Sequence, residues 1–144
     1  MPLIWRPQMS IGNALVDADH RYLICLANTV EIALRGSPMV DVLEIAFDEL
    51  ELYARNHFAR EEELMIALGY ARYDGHKRAH QELAARFAEV RYECEQLMHS
   101  TSGKDGGLGE KTSSLHRHWL REHLLHEDML LKPLFESRPY NYAV

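Results

Sequence analysis

Residues 39–67 read MVDVLEIAFDELELYARNHFAREEELMIA, and this stretch decides the fold class. Its apolar residues recur at intervals of three and four, which is the period of an amphipathic α-helix and not the alternation of a β-strand. These positions are Val42, Leu43, Ile45, Ala46, Leu50, Tyr53, Phe58, Leu64 and Met65. The pattern persists until Leu68 and Gly69, where a glycine favours a helix C-terminus. We therefore predict one long helix from about Met39 to Ala67.

Helical spacing also predicts further helices on both sides of this stretch. The first begins near Asp17 or Asp19, whose carboxylates suit a helix N-terminus, and ends at the GSP segment of residues 36–38. The third begins at Asp74 and extends to about His99. Convincing strands with period-two alternation are absent from the sequence, so the fold class is all-α.

A glycine-rich segment, Ser100 to Gly109, separates the third helix from the fourth. It holds four of the eight glycines, and we predict a flexible loop there. The fourth helix begins near Glu110 and ends by about His126. Because short connections favour antiparallel neighbours, we predict a single domain over residues 1–144 that forms an antiparallel up-and-down four-helix bundle. An N-terminal arm and a short C-terminal extension lie outside the four helices.

The composition is that of an ordinary globular chain with an acidic balance. The 144 residues carry a formal net charge of −6, with 47% hydrophobic and 26% charged residues. Without a clustered run of lysine or arginine, nucleic acid is not expected as a partner. No apolar run reaches the roughly eighteen residues of a membrane span, and Pro2, Arg6 and Pro7 replace the apolar block of a signal peptide. We expect no membrane association and a cytoplasmic location.

The two cysteines, Cys25 and Cys94, lie far apart in the sequence. They form neither a CxxC pair nor a disulfide-rich framework, which is consistent with a reducing compartment. We interpret both as buried thiols within helices.

The chemistry is indicated by the spacing of the histidines. His57 lies four residues before Glu61, and His76 lies four residues before His80. A separation of four places both side chains on one face of a helix, so each pair can bind a metal ion together. His20 on the first helix and His123 with Asp128 on the fourth complete a candidate set: His20, His57, Glu61, His76, His80, His123 and Asp128. Seven ligands are too many for one metal ion.

Each of these residues has a simpler interpretation when it is taken alone. Glu61 could be a solvated member of an acidic triplet, His20 a structural histidine and Asp128 a helix-terminal residue. Only the constellation favours a metal site. The remaining histidines are predicted to lie on the surface or just outside the ligand set: His99, His116, His118 and His126.

The spacing of His123 and Asp128 predicts a local departure from α-helical geometry. Five residues at about 100° each turn the chain roughly 140° away from the starting face. A continuous α-helix would therefore aim the two side chains apart. If both bind metal, the chain should leave regular helical geometry between Leu124 and Asp128.

The size of the candidate set suits two metal ions held close together. Two six-coordinate ions, such as iron with imidazole and carboxylate ligands, offer twelve positions. Five histidines, two bridging carboxylates and one bridging oxide or hydroxide fill all but one of them. The single vacancy suits one small ligand. A zinc hydrolase is disfavoured, because zinc sites use three or four protein ligands.

From Trp5 to about Phe135 the chain resembles the hemerythrin family, and its bacterial members in particular. The motifs that carry the resemblance are Trp5-Arg6-Pro7-Gln8-Met9-Ser10-Ile11-Gly12, Asp17-Ala18-Asp19-His20, His57-Phe58-Ala59-Arg60-Glu61-Glu62, His76 with His80, and Trp119-Leu120-Arg121-Glu122-His123 followed by Asp128. Ala71 departs from the family, which often has proline there, and the Ser100 to Gly109 loop is longer than usual. Myohemerythrin, a member of this family, is a known four-helix bundle.

The resemblance implies a non-haem di-iron centre that binds dioxygen reversibly. Glu61, Asp128 and an oxide or hydroxide would bridge the two irons. His76, His80 and His123 would bind the iron whose coordination is complete, whereas His20 and His57 would bind the iron with the open position. Dioxygen would then bind beside His20 and His57.

Four residues are candidates for an apolar oxygen pocket that excludes water. Helical spacing places Ile24 and Tyr53 on the ligand-bearing faces of their helices, and Trp119 and Leu120 likewise. For Ile24 and Tyr53, an ordinary place in the hydrophobic core is an equal alternative. Trp119 and Leu120 are favoured by the family motif.

The biological role of such a centre is open to more than one interpretation. We favour an oxygen carrier or store over an enzyme. The alternatives are an oxygen- or redox-sensing module and a di-iron oxidase or peroxidase.

Overall fold

The structure, a computed structural model, describes residues 2–34, 40–98 and 107–144. It is an all-α four-helix bundle, as predicted. The four long helices are α1 (Ala14–Ala33), α2 (Val40–Ala67), α3 (Tyr73–Met98) and α4 (Leu108–His118). Helix α1 packs against α2, α2 against α3, α3 against α4, and α4 returns to α1. None of the described helices is both long and apolar enough to cross a membrane.

Shorter elements flank the bundle. A single 3₁₀ turn (Pro7–Met9) lies in the N-terminal arm. After α4 the chain continues without a break as a π-helical segment (Trp119–Glu127), a 3₁₀ segment (Asp128–Leu131) and a last short helix, α5 (Lys132–Phe135). The predicted terminator at residues 36–38 lies outside the described residues.

Helix α1 begins earlier than the sequence predicted. Its N-cap is Asn13, whose side-chain oxygen accepts hydrogen bonds from the backbone N–H groups of Leu15 and Val16. Asp17 and Asp19 are therefore helical and buried and do not act as the N-cap. Sequence reasoning failed here because both aspartates have partners elsewhere in the fold, which local spacing does not reveal.

Helix α2 ends where the sequence predicted. Gly69 follows it with a φ of 65°, a left-handed conformation that glycine adopts without strain. The backbone N–H of Tyr70 donates to the carbonyl of Met65, which satisfies one of the last carbonyls of the helix. This tight connection makes α2 and α3 antiparallel neighbours.

The predictions for the fourth helix need correction at both ends. It begins at Leu108, so the last two residues of the predicted loop are already helical, and residues 99–106 lie outside the described part of the chain. Helical structure also continues past His126, but it changes from α to π at Trp119. The predicted departure from α-helical geometry is therefore present, and it begins before Leu124.

The buried apolar residues form two clusters with a polar layer between them. One cluster includes Leu23, Phe47 and Trp119, and the other includes Val16 and Leu131. On α1, α2 and the C-terminal segments, buried polar residues stand in the chain between members of the two clusters. The bundle core is thus interrupted at one level, and the candidate ligands lie there.

The C-terminal segment covers the end of the bundle next to the second cluster, and the N-terminal arm lies along α1 beside the first. The backbone N–H of Ala14 donates to the carbonyl of Tyr140, and the Asn13 amide donates to the carbonyl of Tyr142. In the N-terminal arm, Leu3 exchanges hydrogen bonds with the side chain of Asn28. These contacts tie both ends of the chain to α1.

The prediction that both cysteines are buried is half wrong. Both thiols are free, but only Cys94 is buried, and Cys25 on α1 is exposed. The prediction for Cys25 rested on the general tendency of free cysteines to be buried, which does not indicate the face of a helix on which a given cysteine lies.

Candidate metal centre

Seven buried side chains meet in the polar layer of the bundle, and they are the seven residues that the sequence singled out. Their ligand atoms form two overlapping groups, and within each group all ligand atoms lie within 4.8 Å of one another. The larger group is Glu61, His76, His80, His123 and Asp128, and the smaller is His20, His57, Glu61 and Asp128. Both groups therefore share Glu61 and Asp128.

Regular helices position five of these side chains. His57 and Glu61 lie one turn apart on α2, and His76 and His80 lie one turn apart on α3, so each pair projects from one face. His20 projects from α1 toward the same layer, where its Nε2 lies 3.1 Å from Asp128 Oδ2. All five are at most 2% exposed.

The π-helical segment positions the other two. The backbone N–H of Asp128 donates to the carbonyl of His123, which is an i to i+5 hydrogen bond. Because a π-helix has a wider turn than an α-helix, residues five apart come back to one face. His123 Nε2 consequently lies 3.2 Å from Asp128 Oδ1. This wide turn resolves the spacing conflict noted in the sequence.

The distances from Glu61 to the histidines of the larger group are close to the separations expected around a shared metal ion, and those in the smaller group are longer. Two ligand atoms bound at right angles, each about 2.1 Å from a metal, lie roughly 3.0 Å apart. Glu61 Oε2 lies 3.1 Å from His80 Nε2 and 3.4 Å from His76 Nε2. In the smaller group, Glu61 lies 3.6 Å from His57 Nε2 and 3.7 Å from His20 Nε2.

Unsatisfied polar atoms show that the layer suits a cation. Among the described residues, several buried nitrogen and oxygen atoms lie near one another but form no hydrogen bond of good geometry: Nε2 of His20, His57, His76 and His123, Oε1 of Glu61, and both carboxylate oxygens of Asp128. Leaving so many buried polar atoms unpaired is costly unless another species binds them. Imidazole nitrogens and carboxylate oxygens are ligands of first-row transition metals, and the donor set can hold metal ions.

The electrostatics of the cluster lead to the same conclusion. Burial alone lowers the pKa of His20, but contacts with Asp128 and Glu61 outweigh it and raise the pKa to about 10. The same two carboxylates, against the effect of burial, raise the pKa of His76 to about 9. Burial lowers the pKa of His123 to about 4, so its nitrogen is free to bind a metal. Without metal the two carboxylates hold protonated histidines, and metal cations would replace those protons.

Asp19 is the partner of His57 on the side away from the cluster. This carboxylate is 1% exposed, and its Oδ2 lies 3.3 Å from His57 Nδ1. Tyr53 Oη donates to Oδ1 at 2.8 Å, and Arg60 Nε donates to Oδ2 at 2.8 Å. A carboxylate on the second ring nitrogen fixes the tautomer of a metal-binding histidine and strengthens it as a ligand.

Glu62 plays the equivalent part for His80. Its Oε1 lies 3.1 Å from His80 Nδ1, and Lys77 Nζ lies 3.0 Å from Oε2. Each of the two donor groups thus contains one histidine with an acidic partner. Sequence reasoning missed the roles of Asp19 and Glu62, because both contacts cross between helices and leave no periodic signal.

Phe58 is a further residue that the sequence reasoning did not assign to the site. Its ring stacks on His80 with centroids 4.2 Å apart, and it lies 5.6 Å from the His57 ring and 5.7 Å from the His123 ring. In the sequence, its position directly after the ligand candidate His57 could have indicated a place beside the site. Phe58 gives the centre an apolar wall on one side.

The four pocket candidates have different surroundings. Ile24 and Trp119 are buried in the main apolar cluster, at 4% and 7% exposure. Tyr53 packs against that cluster, but its hydroxyl belongs to the Asp19 network. The side chain of Leu120 lies outside the described residues.

The structure describes three of the four histidines outside the candidate ligand set. His118 and His126 are exposed, as predicted. His116 is not on the surface. It is 3% exposed and lies 3.5 Å from Glu31, between α4 and α1, so the surface position predicted for this residue is wrong. The alternative place just outside the ligand set stays a prediction. His99 lies outside the described residues.

Comparison with known proteins agrees with this geometry. Residues 12–135 match the family described as hemerythrin HHE cation binding domain. A bacteriohemerythrin of Stenotrophomonas maltophilia is 31% identical over 126 residues, which cover 88% of this chain and 76% of that protein. A bacteriohemerythrin of Clostridium acetobutylicum is 26% identical over 128 residues, which cover 87% of this chain and 95% of that protein. Because the matched domain spans most of its length, the chain belongs to the hemerythrin family.

Proposed function

We propose that this chain binds two iron ions and that the loaded centre binds dioxygen reversibly, so that the protein serves as an oxygen carrier or store. The observation that carries the proposal is the unequal division of donors between two overlapping groups. One group holds three histidines and the other holds two, and both include Glu61 and Asp128. Imidazole and carboxylate donors in this mixture suit iron.

The unequal division leaves room for one small ligand. With the two carboxylates counted in both groups, the larger group has five donor residues and the smaller has four. An oxide or hydroxide shared by the two metals would complete six-coordination in the larger group and leave one position in the smaller group. We therefore propose that dioxygen binds beside His20 and His57. Bound iron would supply the electrons that dioxygen accepts.

The chain contributes a dry, apolar environment to this chemistry. The ligands are buried, Phe58 lies against His57, and the Trp5 ring lies 6.0 Å from the ring of His20. Apolar walls limit the access of water and protons, which would promote loss of reduced oxygen. Ile24 and Trp119 stay candidates for further parts of this wall. Tyr53 instead donates its hydroxyl to Asp19.

A cytoplasmic location is part of the proposal. Cys25 and Cys94 are both free thiols, which is usual in a reducing compartment. Dioxygen is the ligand that we propose for the centre, and a carrier role requires no protein partner for binding.

The proposal is tested by loading the protein with ferrous iron without air and counting the iron bound per chain. We expect two irons, an absorption spectrum that appears when oxygen is admitted, and its disappearance when oxygen is removed over repeated cycles. A stoichiometry other than two would refute the site. Immediate irreversible oxidation of two bound irons would refute the carrier and favour a sensor or a di-iron oxidase.

A pair of variants tests the assignment of the open position. His57→Ala removes a ligand of the smaller group, and we expect it to retain one iron fewer than the wild type and to lose reversible oxygen binding. His118→Ala is the matched control, because His118 is exposed and its ring contacts Arg86 outside the metal layer. Equal iron content and normal oxygen binding in the His57 variant would contradict the assignment.

A further inference from the structure

A cavity of about 420 Å³ opens between α2 and α3 and extends inward to α1 and α4. Small side chains leave this space, because Ala54 and Ala59 of α2 and Ala84 of α3 all line it. Leu23 of α1 lies at its inner side. Of the seven candidate metal ligands, only His80 contributes to the wall, so the cavity lies beside the metal centre and outside the donor layer.

The wall of the cavity is mostly apolar and contains three aromatic side chains. Phe58, Phe87 and Trp119 come from three different elements of the bundle. The charged residues Glu51, Arg55 and Glu62 line it as well, and all three have contact with solvent. Aromatic rings from several sides favour a flat aromatic guest, because offset and edge-to-face ring contacts add to the gain from burial.

One buried polar group in the wall has only a long contact with another residue. His116 lines the cavity, is 3% exposed, and among the described residues neither of its ring nitrogens makes a hydrogen bond. Its Nδ1 lies 3.5 Å from Glu31 Oε1, which is too long for a good hydrogen bond. Contact with His116 lowers the pKa of Glu31, so this carboxylate is ionised at neutral pH.

The position of Glu31 determines which ring nitrogen of His116 is left for a ligand. Glu31 lies beside Nδ1, so Nε2 is the nitrogen that a ligand can reach. Nε2 accepts a hydrogen bond in the neutral ring and donates one in the protonated ring, and a hydroxyl group can pair with either form. The negative charge of Glu31 disfavours an anionic head group close by, and a hydroxyl is neutral.

We propose that this cavity binds a small planar aromatic molecule with one hydroxyl group, with the rings between Phe58, Phe87 and Trp119 and the hydroxyl hydrogen-bonded to His116. The volume agrees with this class, because an apolar cavity of about 150 Å³ can hold benzene. A space of 420 Å³ admits two fused rings. His116 and Trp119 lie three residues apart and share one side of their helix, so a single guest can contact both.

The test is calorimetric titration of the iron-loaded protein with 2-naphthol. We expect saturable binding of one molecule per chain. Ala84→Phe places a ring in the cavity and should weaken binding at least about tenfold. Ala85→Phe is the matched control, because Ala85 is also exposed on α3 but does not line the cavity, and it should bind as the wild type does.

Naphthalene tests the role of His116 without a variant. Since it lacks the hydroxyl, it should bind the wild type about three- to tenfold more weakly than 2-naphthol, as expected for one hydrogen bond. His116→Leu should abolish this difference. Absence of saturable 2-naphthol binding, or unchanged binding in Ala84→Phe, would overturn the proposal, and tighter binding of decanoate would exclude the aromatic class. Oxygen cycling of the same sample is recorded separately, so failure of the cavity site is distinguishable from failure of oxygen binding.

Discussion

Asp19→Asn tests whether the carboxylate behind His57 strengthens the metal centre. The wild-type carboxylate accepts from Tyr53 on one oxygen and from Arg60 and His57 on the other. An amide can keep an acceptor toward Arg60 and His57 only by turning its NH₂ group toward the Tyr53 hydroxyl, which can accept as well as donate. The geometry can therefore survive, and the negative charge is what the substitution removes.

The expected loss of iron affinity depends on which hydrogen-bond acceptors each variant keeps at His57. Changes in the partners of metal-binding histidines cost about 10- to 100-fold in metal affinity. Because Asp19→Asn keeps an acceptor at His57, we expect about tenfold weaker iron binding, which is about 1.4 kcal/mol. Asp19→Ala removes the acceptor as well, and we expect a loss near 100-fold, or about 2.7 kcal/mol.

The assay is competition for ferrous iron against a chelator of known affinity, with iron per chain measured at each chelator concentration. The iron of the smaller donor group should be lost first, because His57 belongs to that group. Asp17→Asn is the matched control. Asp17 is equally buried on α1, but it accepts hydrogen bonds from Ile11 and Tyr140 and not from a ligand candidate.

Two results would refute the reasoning. One is a competition curve for Asp19→Asn that coincides with that of the wild type. The other is an equal loss of iron in Asp17→Asn, which would mean that the effect is general destabilisation of α1. The expected control result is weaker resistance to denaturant with unchanged iron competition.

Three further predictions concern the fold around the centre. Glu31→Gln should lower the free energy of unfolding at pH 7, and the difference from wild type should shrink as the pH falls below 4.5, because contact with His116 lowers the pKa of Glu31 from that value in the folded chain. In native protein a thiol reagent should label Cys25 and not Cys94, because Cys94 is buried and its pKa is raised to about 11. Asn13→Ala should cost about 0.5–2 kcal/mol in urea unfolding, through loss of the α1 N-cap.

Each of these has a control and a contrary outcome. A pH-independent difference for the Glu31 variant would show that its charge is not stabilised by His116. Labelling of both thiols before unfolding would contradict the burial of Cys94, and denaturant should expose both. Ser114→Ala, at an exposed position within α4, is a suitable control for the Asn13 variant, and an equal loss in both would argue against a specific cap.

The sequence predicted the bundle and the candidate ligands from the same property, the helical period. Apolar residues at intervals of three and four identified the helices, and the spacing of four in His57 with Glu61 and in His76 with His80 identified two candidate metal-binding pairs. Both patterns are local in the sequence, so they can be recognised without knowledge of the tertiary structure. The ends of helices and the faces of single residues are less local, and the predictions failed there.

The failures have physical causes in contacts between helices. Asp17 and Asp19 have the residue type of an N-cap, but their partners lie in the N-terminal arm, on α2 and in the C-terminal segment. His116 was predicted to lie on the surface or just outside the ligand set because the seven ligands were complete without it, yet it is buried, and Glu31 on α1 provides a charged neighbour inside the bundle. No periodic pattern records such pairings, since each depends on which helix faces which.

The layered core explains why the metal centre and the π-helical segment occur together. Ligands must come from one level of the bundle, because the levels above and below are filled by the two apolar clusters. A regular α-helix offers one inward position per turn, and its next inward position from His123 would be four residues on. By widening the turn, the π-helical segment brings Asp128 back to the face of His123 and lets one element supply both a candidate nitrogen ligand and a carboxylate shared by the two donor groups. Without the wider turn, the carboxylate of Asp128 would point away from the polar layer, and the two donor groups would have only Glu61 in common.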